Sequence, residues 1–96
     1  MKKILVTGGT TFVSKYAAKY FVNMGYEVYV LNRNTKSQVR GVKLIEGDRH
    51  NLNGILKNLS FDAVADITAY NEKDIIDFVK ELGSYGQYIM IRSCAV

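Results

Sequence analysis

Thr7-Gly8-Gly9-Thr10-Thr11-Phe12 is the stretch whose residue types and spacing point to chemistry. Adjacent glycines make a tight turn with little side-chain bulk, and the threonines add hydroxyl donors. Set between a strand and a helix, such a turn aims backbone N–H groups and the positive end of a helix dipole at one point. That point suits a phosphate, held by the N–H groups of Gly8, Gly9, Thr10 and Thr11. Asn32-Arg33 offers an amide and a guanidinium with no negative charge between them, and a guanidinium pairs with phosphate in a bidentate way. Asp48, beside Gly47, supplies an acceptor or a turn. Asp66 lies in an apolar run, so it must find a donor or point into a ligand crevice. His50 is the single histidine and Cys94 the single cysteine, which argues against a metal centre or an internal disulfide.

The elements that must position these residues read as follows. Ile4-Leu5-Val6 is an apolar strand running into Thr7-Gly8-Gly9. Val13, Tyr16, Ala17, Tyr20, Phe21 and Met24 recur at steps of three and four, one face of a helix. Gly25 stops it, and Glu27–Leu31 is a second strand. Lys3–Leu31 is thus one βαβ unit. Val42–Glu46 predicts a third strand, Leu52, Ile55, Leu56 and Leu59 a short helix, and Ala63–Ile67 a fourth strand. Asn71 is placed to cap a helix with Glu72 and Asp74 in its first turn. Ile75, Phe78, Val79 and Leu82 give that helix an apolar face, Gly83 ends it, and Tyr88–Ile91 predicts a fifth strand. Tyr16, Tyr20, Phe21 and Tyr29 read as core and interface aromatics. The expectation is an incomplete Rossmann-like α/β fold: a doubly wound parallel sheet in the order 3-2-1-4-5 with helices on both faces. The fifth strand would be a sheet edge, open to a partner chain or a second copy. The chain is expected to be one domain over residues 1–96, the truncated N-terminal part of a longer fold.

The chain has 96 residues and a net charge of +4. Residues 1–50 hold nine Lys/Arg against three acidic residues, a balance of +6, and residues 51–96 hold four against six, a balance of −2. The positive half contains the turn, which suits an anionic ligand. Nucleic acid is the other anionic candidate, but the basic residues are scattered and read better as a solvated surface. No apolar run approaches the roughly 20 residues of a membrane span, and Ile4–Val6 is too short for a secretory leader. A cytoplasmic protein is expected.

The turn lacks the common dinucleotide pattern G-x-G-x-x-G. It resembles the T-G-x-x-G-x-x-G turn of the NAD-dependent epimerase/dehydratase family, the extended short-chain dehydrogenases. Thr7 and Gly8 match, Thr11 stands for the second glycine and Ser14 for the third. KILVTGG, GYEVYVLNR, LIEGD and FDAV are similar to the family as well. The resemblance covers nearly the whole chain but only the front half of a family member. It implies a dinucleotide cofactor over Gly8, Gly9, Thr10, Thr11 and Phe12, with Asp48 at the adenine amino group and the loop of Thr68 and Ala69 along the cofactor. Thr11 either crowds the pyrophosphate or donates to it, while Ser14 is small enough for close helix packing. Where NAD binders carry an acidic residue for the ribose, Asn32 and Arg33 tilt the expectation towards NADP over NAD.

In the family a tyrosine–lysine pair does the acid/base work of hydride transfer, aided by a hydroxyl near the position of Ser93 and Cys94. No Tyr-x-x-x-Lys occurs in this sequence. The expected function is therefore the NAD(P)-binding portion of an epimerase/dehydratase-like oxidoreductase, not catalytic by itself. The rivals are a non-catalytic cofactor sensor or protein-interaction module, and an RNA-associated epimerase-like protein.

Overall fold

A computed structural model describes residues 2–8, 12–34, 37–48, 51–67 and 71–90. The elements run β1 (Lys3–Thr7), α1 (Phe12–Asn23), β2 (Glu27–Asn32), β3 (Lys43–Glu46), β4 (Ser60–Asp66), α2 (Glu72–Glu81) and β5 (Ser84–Met90). The five strands form one parallel sheet in the order β3-β2-β1-β4-β5, as expected.

Both faces of the central strands are covered, which is why β1 and β4 read as near-continuous apolar runs. Ile4 and Val6 pack with Val28, Val30, Ala65 and Ile67 under Ala18 of α1. Leu5, between them, points the other way, into Leu31, Val64, Phe78 and Leu82 on the side of α2. The period of two in β1 thus separates two apolar layers, each closed by one helix.

The helix ends obey local chemistry. Gly25 takes φ +88° just past α1, where its N–H donates to Val22 O at 3.0 Å. Asn71 caps α2, its side-chain oxygen accepting the Asp74 N–H at 3.0 Å. Asn71→Ala is expected to destabilise the fold by about 1 kcal/mol, read as a lower midpoint in urea at an unchanged slope.

Four expectations need correction. Leu52–Leu59 is a series of turns rather than a helix: Asn53 (φ 53°) and Gly54 (φ 79°) are both left-handed, which a right-handed helix cannot contain. Its hydrogen bonds are Ile55 N–H to Leu52 O, Lys57 N–H to Gly54 O and Leu59 N–H to Leu56 O. The apolar spacing still buries Leu52 and Leu56 against the α2 layer. Second, Tyr16 and Tyr20 are 60% and 59% exposed, whereas Phe21 and Tyr29 pack against the core. Ser14, Ala17, Ala18 and Phe21 already fill the inward face of α1, so small residues bring the helix close and leave both tyrosines on its outside. Third, β5 begins at Ser84, four residues earlier than Tyr88, because parallel pairing from Ser60–Ser84 onward supplies its hydrogen bonds without an apolar run. Fourth, β4 runs Ser60–Asp66 rather than from Ala63 to Ile67, because its pairing with β5 extends from Ser60–Ser84 to Asp66–Met90.

Among the described residues no helix is long and apolar enough to cross a membrane.

Candidate functional site

Parallel strands end at one edge, so Thr7, Asn32, Glu46, Asp66 and Met90 share the carboxyl side of the sheet. The chain leaves β1 towards β2 on one side, and β4 lies on the other. The β1/β4 boundary is therefore the switch point of the topology, where a crevice opens outside the strand ends.

Gly8 is fixed there from β2. Its φ is +88°, which needs glycine. Its N–H donates to Leu31 O at 2.8 Å, so Gly8 contributes turn geometry rather than a free N–H. Its carbonyl accepts the Asn32 side-chain Nδ2–H at 2.5 Å.

The Asn32 amide is fully engaged. Nδ2 also donates to Gln38 Oε1 at 2.9 Å, and Oδ1 accepts the Asn34 N–H at 2.8 Å and Gln38 Nε2–H at 3.1 Å. Gln38 Nε2 reaches Asn34 Oδ1 at 3.3 Å, and Asn34 adopts φ 57°, a left-handed residue where asparagine is tolerated. The backbone of Asn32 holds the next strand, its carbonyl accepting the Gly47 N–H at 2.9 Å. Asparagine at this position does more than remove a charge: one end of its amide serves a carbonyl and the other serves an N–H. Arg33, next in sequence, is exposed at the same edge.

A second cluster lies under the turn on the β4 side. Thr7 Oγ1 donates to Asp66 Oδ1 at 3.1 Å and accepts the Ile67 N–H at 2.8 Å. The Tyr88 hydroxyl donates to Asp66 Oδ2. These are the donors that a carboxylate inside an apolar strand requires.

Asp48 is half-buried after β3, where its carbonyl accepts the Asn51 N–H at 2.8 Å. The turn role is thus present beside any adenine contact. Phe12 opens α1 at the same edge, and the first turn of α1 carries no acidic residue. The N–H groups of that first turn lack intrahelical acceptors, which suits an anion. Gly9, Thr10, Thr11, Thr68 and Ala69 lie outside the described residues, as do Arg49, His50, Tyr70, Ser93 and Cys94.

The opposite edge is a different environment. There Glu27 Oε2 accepts the Tyr29 hydroxyl at 2.6 Å, and Lys43 lies 3.4 Å from Oε1. The Tyr29 hydrogen bond, and after it the Lys43 charge, hold the Glu27 carboxyl below its usual range. A groove of about 490 Å³ lies between the turn around Asn53 and the C-terminal half of α2, lined by Lys57, Asp77, Lys80 and Glu81.

Gly8, Asn32 and Arg33 lie at one edge of the sheet, but the Gly8 N–H expected to meet a phosphate is bonded to Leu31 O instead. Gln38, a polar loop residue, carries no local signal in the sequence, and the partners of Asp66 were not legible there. A hydroxyl at the end of one buried strand and a carboxylate at the end of its neighbour was the available clue.

Residues 4–82 match the NAD dependent epimerase/dehydratase family. No curated protein matches the chain. Among solved structures the chain resembles a UDP-glucose 4-epimerase at 19% identity and a TM-score of 0.68, over 82% of this chain and 31% of that one. It resembles AtPrR2 in its apo form at 18% identity and a TM-score of 0.74, over 94% and 38%. It also resembles the Bordetella bronchiseptica enzyme WbmG, solved with NAD and UDP, at 18% identity and a TM-score of 0.65, over 83% and 33%. At these identities the likeness establishes the fold, and the chain spans about a third of the length of these structures.

Proposed function

The chain belongs to the NAD-dependent epimerase/dehydratase family, and on that premise we propose that residues 1–96 form the NAD(P)-binding part of an epimerase/dehydratase-like oxidoreductase. The observation that carries this is the meeting of Gly8, the start of α1 and the Asn32 amide at the switch point of a parallel sheet.

In this reading Gly9, Thr10, Thr11 and the first turn of α1 from Phe12 hold the pyrophosphate, and Gly8 shapes the turn. Arg33 faces the adenosine end, Asp48 the adenine, and the loop of Thr68 and Ala69 lies along the remainder of the cofactor. The dinucleotide supplies the hydride acceptor or donor when bound; the chain's own residues bind and orient it. Acid/base chemistry and substrate recognition, with a sugar nucleotide as the substrate class, belong to a longer parent protein. The NAD and UDP of WbmG and the name of the UDP-glucose epimerase favour that class. The β5 edge, Ser84–Met90, carries no charge and no proline, so it is open to a further strand from the longer parent, a partner chain or a second copy.

Arg33 gives the proposal its NADP preference, because Asn32 offers no carboxylate to repel a 2′-phosphate. Arg33→Ala is expected to weaken NADPH binding about three- to tenfold, the range of one exposed charge-assisted contact, and NADH binding less than twofold. Equal losses for both, measured by calorimetry, would remove Arg33 from the 2′-phosphate role.

A further inference from the structure

Asn32 ends β2 with a side-chain amide that has two protons and two acceptor positions, and all of them are taken. Two backbone groups fix its orientation. Gly8 O can only accept, so Nδ2 faces it at 2.5 Å; the Asn34 N–H can only donate, so Oδ1 faces that at 2.8 Å. One Nδ2 proton and one Oδ1 acceptor position remain, and Gln38 takes both. Its Oε1 accepts from Nδ2 at 2.9 Å, and its Nε2 donates to Oδ1 at 3.1 Å. Two amides six residues apart thus lie head to tail in a closed pair. Gln38 Nε2 also reaches Asn34 Oδ1 at 3.3 Å. Gln38 is half-buried, and Val39 beside it is buried in the apolar layer under α1. At Gly41 the loop comes so near that helix that an added Cβ would lie 2.9 Å from Val22 Cγ1. Packing and amide bonds together hold Gln38 in place.

We infer that Gln38 is a positioning residue with a consequence for specificity: by saturating the Asn32 amide it withdraws the end of β2 from an adenosine ribose. The 2′-hydroxyl then goes unread there, and the 2′ position is left to Arg33. The inference rests on the reading of this edge as a dinucleotide site. In such a fold the acidic residue after the second strand accepts from the ribose 2′-hydroxyl. Asn32 also has an oxygen, but a ribose hydroxyl could use it only by displacing Gln38. That exchanges one neutral hydrogen bond for another and gains nothing. Without the Gln38 amide, Asn32 has one proton and one acceptor position to offer, the complement of a hydroxyl. Gly8 O and the Asn34 N–H still orient it.

Gln38→Met removes the amide at nearly constant length. The full chain and this variant are titrated calorimetrically with NADH and with its analogue carrying 2′-deoxyadenosine. The parent is expected to bind the two ligands within about twofold of each other. Gln38→Met is expected to bind NADH about fivefold tighter than the analogue, the range of one neutral hydrogen bond. The ratio of two ligands on one protein is the readout, because a loop that is merely loosened weakens both alike. Gln38→Ala is expected to show the same ratio, and it carries the test should Gln38→Met not fold. A parent that already prefers NADH as strongly as the variant does would overturn the inference, since Asn32 would then read the hydroxyl with Gln38 in place. A variant whose two affinities stay within about twofold would overturn it as well. Either result leaves the dinucleotide site standing. A folded parent that binds neither ligand would overturn the reading of this edge as a dinucleotide site, and the inference with it.

Discussion

Asn32→Asp is expected to weaken dinucleotide binding about ten- to a hundredfold, although it restores the acidic residue that NAD binders usually carry at the end of the second strand. The carboxylate has no N–H to offer Gly8 O, which now accepts from Asn32 Nδ2 at 2.5 Å. It would instead set a charged oxygen against that carbonyl. The second amide contact, to Gln38 Oε1 at 2.9 Å, reverses sign in the same way unless Gln38 turns over. Leaving a half-buried acceptor unpaired costs about 1–3 kcal/mol, and this cost falls on the first residue of the glycine turn, the proposed phosphate cradle. The Asn34 N–H, 2.8 Å from Oδ1, still finds an acceptor, so the loop after β2 should hold while the turn loosens. Calorimetry with NADH and NADPH checks this. Tighter NADH binding by Asn32→Asp would show that the amide serves charge balance rather than the Gly8 carbonyl.

Gly83→Ala is expected to lower stability by about 3 kcal/mol, the upper end for overpacking. A Cβ there would fall on the carbonyl oxygens of Lys57 and Leu59 and lie 3.0 Å from Leu56 O. All three belong to one turn, and Leu59 O already accepts the Ser84 N–H at 3.2 Å, so they cannot all move away cheaply. For a domain of this size such a loss corresponds to a fall in melting temperature of about 12–24 °C. Gly25→Ala is the comparison: nothing lies within 4 Å of its added Cβ, and only the φ of +88° opposes it, at about 1–2 kcal/mol. Equal losses at the two glycines would mean that Gly83 is needed for its own backbone freedom and not for close approach.

The parts of the fold that were legible in the sequence are those set by local chemistry. An apolar triplet, a glycine turn and apolar steps of three and four specify β1 and α1; Gly25 marks a helix end by its left-handed conformation and Asn71 another by a side chain that accepts the Asp74 N–H. The strand order followed from one βαβ unit and the rule that parallel neighbours need crossovers. Spacing failed at Leu52–Leu59, where burial of Leu52 and Leu56 is met by turns that pass through Asn53 and Gly54. It failed at Tyr16 and Tyr20 because a helix packed through Ala17 and Ala18 needs only a narrow inward face. At the candidate site, Gly8, Asn32 and Arg33 were legible because strand ends of one βαβ unit converge. The Asn32–Gly8 and Thr7–Asp66 bonds span 24 and 59 residues, and no local pattern reports pairings of that range. Gln38 closes the Asn32 amide from a loop whose course depends on that same bond.

Dinucleotide binding is read most directly by calorimetric titration of the folded chain with NADPH and NADH at two salt concentrations, with a short RNA as the third ligand. The expected result is one-to-one dinucleotide binding at micromolar concentration, NADPH the tighter, with a weak dependence on salt. A folded chain that gives no heat with either dinucleotide up to millimolar concentration would contradict it. So would RNA binding alone, weakening linearly on a log–log plot against salt as phosphate-backbone contacts do.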